Sequence, residues 1–463
     1  MKIVSIILSM FASLQLFAAD NQQLLSQLQN GIGEQSWPSR LTGLLGCVAM
    51  IFLAFVMSSN RRMISWRLVG FGISLQVLFA FLVLKLQVGK GFFLVANDAI
   101  IKVLSFSNEG ARFVFGNLVD NDIPVTGMPS DIQSMVHTGS LFAFSVLPTI
   151  VFFSALTAVL YHVRVLEWLV RGMSFVMRRT MRASGAESFS AAANIFVGQT
   201  EAPLLIKPFL GNMTRSEIMA IMTGGFANVS GGIMAAYVAV LMGYFPDIAG
   251  HLLAASIMSA PASLVFAKIM IPETGKPETL DSSGVMLEKQ DANLLDAAAR
   301  GTTDGLSLAL NVGAMLIAFI ALIAFLNWGI GAASFYAGYP EVTLQWLFAK
   351  LFAPLAWLLG VPWVDAPLVG SLLGTKTVVN ELVAYLQMAP EIQMGAFAHG
   401  KSVIIATYAL CGFANFSSIG IQVGGLSAMA PHRRADFAKL GLRAMIAGSL
   451  TSFQTAAVAG MLL

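Results

Sequence analysis

The sequence predicts an all-α membrane protein: eight transmembrane helices plus two re-entrant hairpins in inverted repeats, with interfacial helices. Composition comes first. Of 463 residues, 57% are apolar and only 11% charged, against about 25% charged in soluble domains. A mean hydropathy of +0.76 cannot be hidden in one soluble core, so most of the surface faces lipid. The second observation is a repeat. The pattern Gly-Phe-Ala-Asn-x-Ser occurs at Gly225–Ser230 and again at Gly412–Ser417, each time inside an apolar stretch long enough to span a bilayer. Upstream of each copy lies a further apolar stretch that carries an acid, Glu201 in the first half and Glu381 in the second. Small residues alone serve close helix packing, but packing gives no reason for Glu and Asn at matching places. An acid in hydrocarbon is costly and marks function, and two halves sharing one midplane site is how secondary transporters are built.

The elements follow in order. Lys2, the short apolar region 3–17 and Ala18-Ala19 have the form of a signal peptide over 1–19, with an uncleaved interfacial helix as the alternative. A polar extracytoplasmic segment, 20–40, follows. Apolar runs at about 41–59, 68–88, 139–162, 217–244, 251–271, 305–329, 399–428 and 441–462 approach the roughly 20 residues a spanning helix needs. Two further apolar stretches, 185–212 and 345–393, are broken by Gly, Pro and polar residues, which reads as re-entrant hairpins. The segment 89–138 is expected to hold an interfacial helix. On this reading 41–184 holds the scaffold spans, 185–271 the first repeat, 272–304 a charged linker, 305–344 a scaffold span and outer loop, and 345–463 the second repeat.

Basic residues orient the chain. Arg61, Arg62 and Arg67 follow the first span, Arg164 to Arg182 the third, Lys268 and Lys276 the fifth, and Arg433, Arg434 and Lys439 separate the last two. With eight spans and both hairpins returning to the side they come from, all fall on one side. The positive-inside rule then places both termini outside the cytoplasm, in a multi-pass protein of the cell inner membrane. The first hairpin enters from the cytoplasm and the second from outside, as inverted repeats require. The small net charge of +3 is membrane orientation and not a nucleic-acid surface.

The chemistry sits at the breaks. Gly198 and Pro203 bracket Gln199, Thr200 and Glu201, which together offer donors and acceptors without a fixed cation. That set suits a neutral, hydroxyl-rich ligand, whereas an anion calls for Arg or Lys. A structural ion pair of Glu201 with Lys207, or of Glu381 with Lys376, is the competing account. Asn228 and Asn415 add matched carboxamides, and Phe413 offers a ring that either packs or stacks. Five scattered histidines and two cysteines in predicted spans, Cys47 and Cys411, form no metal or redox spacing. No nucleophile lies beside a placed base, so the chain is not read as an enzyme and needs no organic cofactor. A channel would require a continuous polar face or rings of charge.

These motifs resemble the concentrative nucleoside transporter family over most of the chain from about residue 60. The specific parts are Gly198-Gln199-Thr200-Glu201-Ala202-Pro203-Leu204-Leu205, Met222-Thr223-Gly224-Gly225-Phe226-Ala227, Asn380-Glu381-Leu382-Val383-Ala384-Tyr385 and Cys411-Gly412-Phe413-Ala414-Asn415-Phe416-Ser417-Ser418. The resemblance implies a homotrimer in the lipid bilayer, one nucleoside pathway per protomer, and a mobile transport domain sliding against a scaffold. It implies that Gln199, Thr200, Glu201, Glu381, Phe413, Asn415 and Ser418 bind the nucleoside. It also implies a sodium site from the Asn194 and Asn228 side chains and the Val197 and Val229 carbonyls. Position 228 often carries a hydroxyl residue in the family, and Asn there departs from that pattern. The function implied is nucleoside import driven by a sodium gradient, with proton coupling as the alternative.

Overall fold

In hydrocarbon a backbone must satisfy its own N–H and C=O groups, and the apolar runs accordingly become helices. The computed structural model describes residues 37–120, 122–124, 135–137, 141–280, 291–336, 338 and 342–463. The predicted signal segment and residues 20–36 lie outside them. The chain starts with α1 (Trp37–Val56), α2 (Trp66–Leu84) and α3 (Gln87–Phe115). Ser65 opens α2 by accepting from the Leu68 N–H at 3.4 Å. Within 89–138, after α3, Asp122–Pro124 and Met135–His137 pair as a short antiparallel ribbon beside the helices.

From there one order of elements occurs twice. The first pass is α4 (Phe142–Ser145), α5 (Leu147–His162), α6 (Val165–Met181), α7 (Gly185–Ala193), a break, α8 (Glu201–Leu204), α9 (Lys207–Leu210), α10 (Arg215–Ala227), a break, α11 (Gly231–Leu241) and α12 (Ile248–Met270). The second is α13 (Leu294–Tyr336), α14 (Leu344–Leu358), α15 (Ala366–Val378), a break, α16 (Glu381–Gln393), α17 (Gly400–Leu410), a break, α18 (Phe416–Met429) and α19 (Arg434–Leu462). Each pass thus runs from a span through a shorter helix, an interrupted pair and an interrupted span to a closing span.

Among the described residues, six helical stretches are long and apolar enough to cross a membrane. The predicted first span appears as a shorter apolar helix, Arg40–Val56, and the predicted 399–428 run is cut at its centre, leaving Gly400–Leu410. The span expected at 305–329 starts earlier and ends later, as the 43 residues of α13. Within its charged start Arg300 pairs with Asp304 one turn on, at 3.4 Å. The stretch 345–393 is more than one hairpin: α14 is a separate helix packed along α15, and the break falls at 379–380, between α15 and α16.

Two capping boxes set where the first pass bends. Ser184 with Glu187 starts α7, and Thr214 with Glu217 starts α10. The two are tied by the Ser184 hydroxyl donating to Glu217 Oε1 at 2.6 Å, and Lys268 of α12 pairs with Glu187 at 2.7 Å. In the second pass the buried Asp365 accepts from the Ala398 and His399 N–H groups at 2.8 and 3.1 Å, tying the start of α15 to that of α17. The closing spans α12 and α19 pack together at the centre, and α5 crosses α13 at small residues. There a Cβ on Gly301 or Gly305 would sit 2.8 Å from the Ala155 or Val151 Cα.

Candidate functional site

The two copies of the repeated pattern meet. Gly412, at φ +125°, lies against the backbone of the first copy, where a Cβ would fall 2.8 Å from the Phe226 carbonyl oxygen and 2.9 Å from that of Ala227. The Phe413 N–H donates to the Asn228 carbonyl at 3.4 Å. Both copies interrupt their helices, but Asn228 and Asn415 do opposite work. Asn228 follows the last residue of α10 in extended conformation, while Asn415 is the N-cap of α18, its Oδ1 accepting from the Ser418 N–H at 2.9 Å. Both asparagines thus stand at helix breaks, Asn228 after α10 and Asn415 at the start of α18.

Glu381 is the first residue of α16, placed there by the Asn380 side chain, which accepts from the Val383 N–H at 2.8 Å. A carboxylate in a first turn is favoured by the helix dipole. It is buried, and both oxygens are engaged: Oε1 accepts from the Tyr237 hydroxyl at 2.8 Å and Oε2 from the Asn415 amide at 2.9 Å. The Tyr237 ring lies 4.6 Å from that of Tyr385, whose hydroxyl donates to the Thr407 carbonyl at 2.8 Å. Among the described residues no direct ion pair joins Lys376 to Glu381, although the two charges interact. The Lys376 amine donates to the Ala409 carbonyl at 2.7 Å and sits 5.7 Å from the Phe453 ring centre. Ser418 is buried and joins the cluster through its backbone, and half-buried Phe413 packs against the core.

The first hairpin reaches across to the second half. Gly225 is wedged between Gln199 and Gln422 of α18; a Cβ there would lie 2.9 Å from the Gln199 Cβ. Gln422 itself donates to the Met222 carbonyl at 3.0 Å. The Thr200 methyl lies 3.1 Å from where Gly425 would carry a Cβ. The Gln199 side-chain oxygen is buried without a hydrogen-bond partner among the described residues. Glu201 is exposed and folds back over Gly198 into a cavity of about 190 Å³ bounded by α5, α13 and the α10–α11 break. Glu381 is not among the residues that line that cavity. At its rim Arg300 holds Asp291 through bonds of 2.7 and 3.0 Å. That guanidinium keeps the Asp291 carboxyl below the usual carboxylate range. Among the described residues no ion pair joins Glu201 to Lys207, which is exposed.

The residues implied for sodium also come together. Asn194 is 1% exposed, and neither of its amide atoms has a partner among the described residues. Its Nδ2 lies 3.1 Å from where a Cβ on Gly224 would be, and Asn228 donates to the Gly224 carbonyl at 3.3 Å. Ser259 of α12 donates to the Asn228 side-chain oxygen. Val197 and Val229 are buried in the same two breaks. A buried amide without a partner calls for an explanation, and amide and carbonyl oxygens are the ligands a hard cation takes. The donor set therefore fits sodium.

Three residues of these clusters, Tyr237, Gln422 and Ser259, were not singled out by the sequence. Two left a signal there: Gln422 falls seven residues after Asn415, and Ser256, Ser259 and Ser263 form a stripe at helical spacing.

Comparison with known proteins identifies the family. The profiles described as Na+ dependent nucleoside transporter N-terminus, Nucleoside recognition and Na+ dependent nucleoside transporter C-terminus match residues 45–118, 143–244 and 251–460. The chain is 45% identical to the uncharacterized transporter YutK of Bacillus subtilis, over 91% of this chain and 99% of the relative. It is 38% identical to the sodium/nucleoside cotransporter 1 of Rattus norvegicus, covering 92% of this chain and 64% of that longer protein. A structure of CNTnw in an inward-facing, substrate-bound state is 41% identical and superposes with a TM-score of 0.82, covering 92% of this chain and 98% of that one. A mutant of CNTnw in an outward-facing state gives 0.84 at 40% identity, covering 92% and 98%. This chain belongs to the concentrative nucleoside transporter family, whose members are membrane transporters and not enzymes.

Proposed function

We propose that this protein is a secondary active symporter that imports nucleosides on a sodium gradient by elevator-type alternating access. The observation that carries the reading is Glu381. A buried carboxylate held from both sides by Tyr237 and Asn415, at the junction of two helix breaks, is ready to accept from sugar hydroxyls. Gln199 supports it with a buried oxygen that has no partner among the described residues, and Glu201 opens onto the cavity beside α5. Gln199, Thr200, Glu201, Glu381, Phe413, Asn415 and Ser418 form the nucleoside site on this reading. Phe413 lies beside the base, and Ser418 keeps Asn415 aimed at Glu381.

The family uses sodium as its coupling ion. In this chain Asn194 and Asn228 would hold it with side-chain oxygens, and Val197 and Val229 with carbonyls. A cation held there would supply positive charge beside the first hairpin, and Ser259 keeps the Asn228 amide in register. The repeated element order supports two inverted halves, with eight spans and two hairpins. The extracytoplasmic termini, inner-membrane location and homotrimer belong to the same reading.

The test is uptake of labelled uridine and adenosine into proteoliposomes under sodium and proton gradients imposed separately. Sodium-driven accumulation supports the assignment. Uptake that ignores sodium and follows pH replaces it with proton coupling, and no uptake of either nucleoside removes the substrate class.

A further inference from the structure

One wall of the cavity beneath Glu201 has no role in the site described above. Ser154, Thr157 and Tyr161 follow one another at spacings of three and four along α5, so their hydroxyls share a face. All three line the cavity together with Glu201. Among the described residues none of the three hydroxyls has a hydrogen-bond partner, and the Tyr161 oxygen is buried. An apolar span has no use for such a row unless something polar is presented to it, because a buried hydroxyl left unmet is costly. The cavity, about 190 Å³, exceeds the roughly 30 Å³ of one water several times over.

The row also has direction. Its upper end touches the α10–α11 break: Ser154 Oγ lies 3.3 Å from where Gly232 would carry a Cβ, and Thr157 Oγ1 lies 3.6 Å from that point on Gly231. Its lower end approaches the rim that carries Arg300 and Asp291. We propose that this face of α5 is a transient second binding surface, which takes the sugar hydroxyls of the nucleoside released from Glu201 and passes them to the rim. Hydroxyls donate and accept alike. They match a neutral polyol without a fixed charge to retain it, which suits a station that must let go. The inference rests on the nucleoside reading of Glu201, and it adds fixed-wall residues that the motifs of the moving part do not contain.

The double variant Thr157→Val with Tyr161→Phe removes two hydroxyls and keeps the shape. Purified wild type and variant are compared for uridine uptake in proteoliposomes and for uridine affinity by calorimetry. The maximum rate is expected to fall about fivefold while the uridine Kd stays within about twofold. Thr157→Ser, which keeps a hydroxyl, is expected to transport as wild type does. An unchanged rate in the double variant overturns the proposal. So does a Kd that weakens in step with the rate, which would make these residues part of the primary site or of the fold. If the double variant does not assemble, Tyr161→Phe and Ser154→Ala carry the same split singly. A wild type that neither binds nor moves uridine or adenosine overturns the nucleoside reading and this proposal together. Wild-type transport with an indifferent variant overturns this proposal alone.

Discussion

At the scale of single residues, a polar group in an apolar span is either satisfied or waiting. Glu381 is satisfied twice over, and its charge-assisted bonds contribute about 1.5–3 kcal/mol each. Glu381→Gln keeps the size and loses the charge, so nucleoside affinity is expected to fall by about tenfold to a hundredfold, read as Kd by calorimetry. Affinity equal to wild type would remove Glu381 from the ligand's contacts. Asn194 is waiting. Asn194→Leu is expected to raise the sodium concentration that half-saturates both uptake and the sodium-dependent rise in thermal stability of the purified protein. A variant that responds to sodium as wild type does would place the ion elsewhere. The acids and amides were legible because hydrocarbon makes them conspicuous. Their partners were not: Tyr237 reaches Glu381 across 144 residues, and only the assembled halves decide which phenol meets which carboxylate.

At the scale of elements, the breaks were legible and the lengths were not. Gly and Asn stand out inside apolar runs, and the chain opens at 194–200, 228–230, 379–380 and 411–415, whereas Pro203 stays within α8 and Pro261 within α12. Helix ends outside hydrocarbon carry no such contrast, so α13 overran its predicted limits by staying helical through Arg300 and Asp304. Nor could the shared pattern reveal that Asn228 closes one helix while Asn415 opens another. That difference depends on Gly412, whose φ of +125° turns the chain against the Phe226 and Ala227 carbonyls. Gly412→Ala is therefore expected to destabilise, by about 1–3 kcal/mol from the backbone alone, and to lower the unfolding temperature in detergent. Gly424→Ala on α18, where nothing lies within 4 Å of the added methyl, is the control and is expected to keep or slightly raise that temperature, since Ala is the better helix former. Equal stability of the two variants would contradict the close approach of the two pattern copies.

At the scale of the whole molecule, composition alone fixed the class, because 11% charge leaves no way to coat 463 residues with a polar surface. On the symporter reading, the assembled chain converts an ion gradient into a solute gradient, and the energetics bound the outcome. One sodium ion crossing 100 mV inward releases about 2.3 kcal/mol. A tenfold sodium gradient adds about 1.4 kcal/mol. The sum, about 3.7 kcal/mol, supports accumulation of a neutral nucleoside by several hundredfold for a one-to-one symporter. Proteoliposomes holding an inward tenfold sodium gradient and an interior-negative potential are therefore expected to concentrate uridine or adenosine well beyond tenfold. Collapsing the potential while keeping the sodium gradient should reduce the limit to about tenfold, since only the chemical term is left. A plateau that ignores the potential would mean that no net charge moves with the nucleoside, and simple one-to-one sodium coupling would be ruled out. A plateau above the several-hundredfold limit would require a second ion per cycle, and the single cluster of Asn194, Val197, Asn228 and Val229 would then be too small an account of coupling.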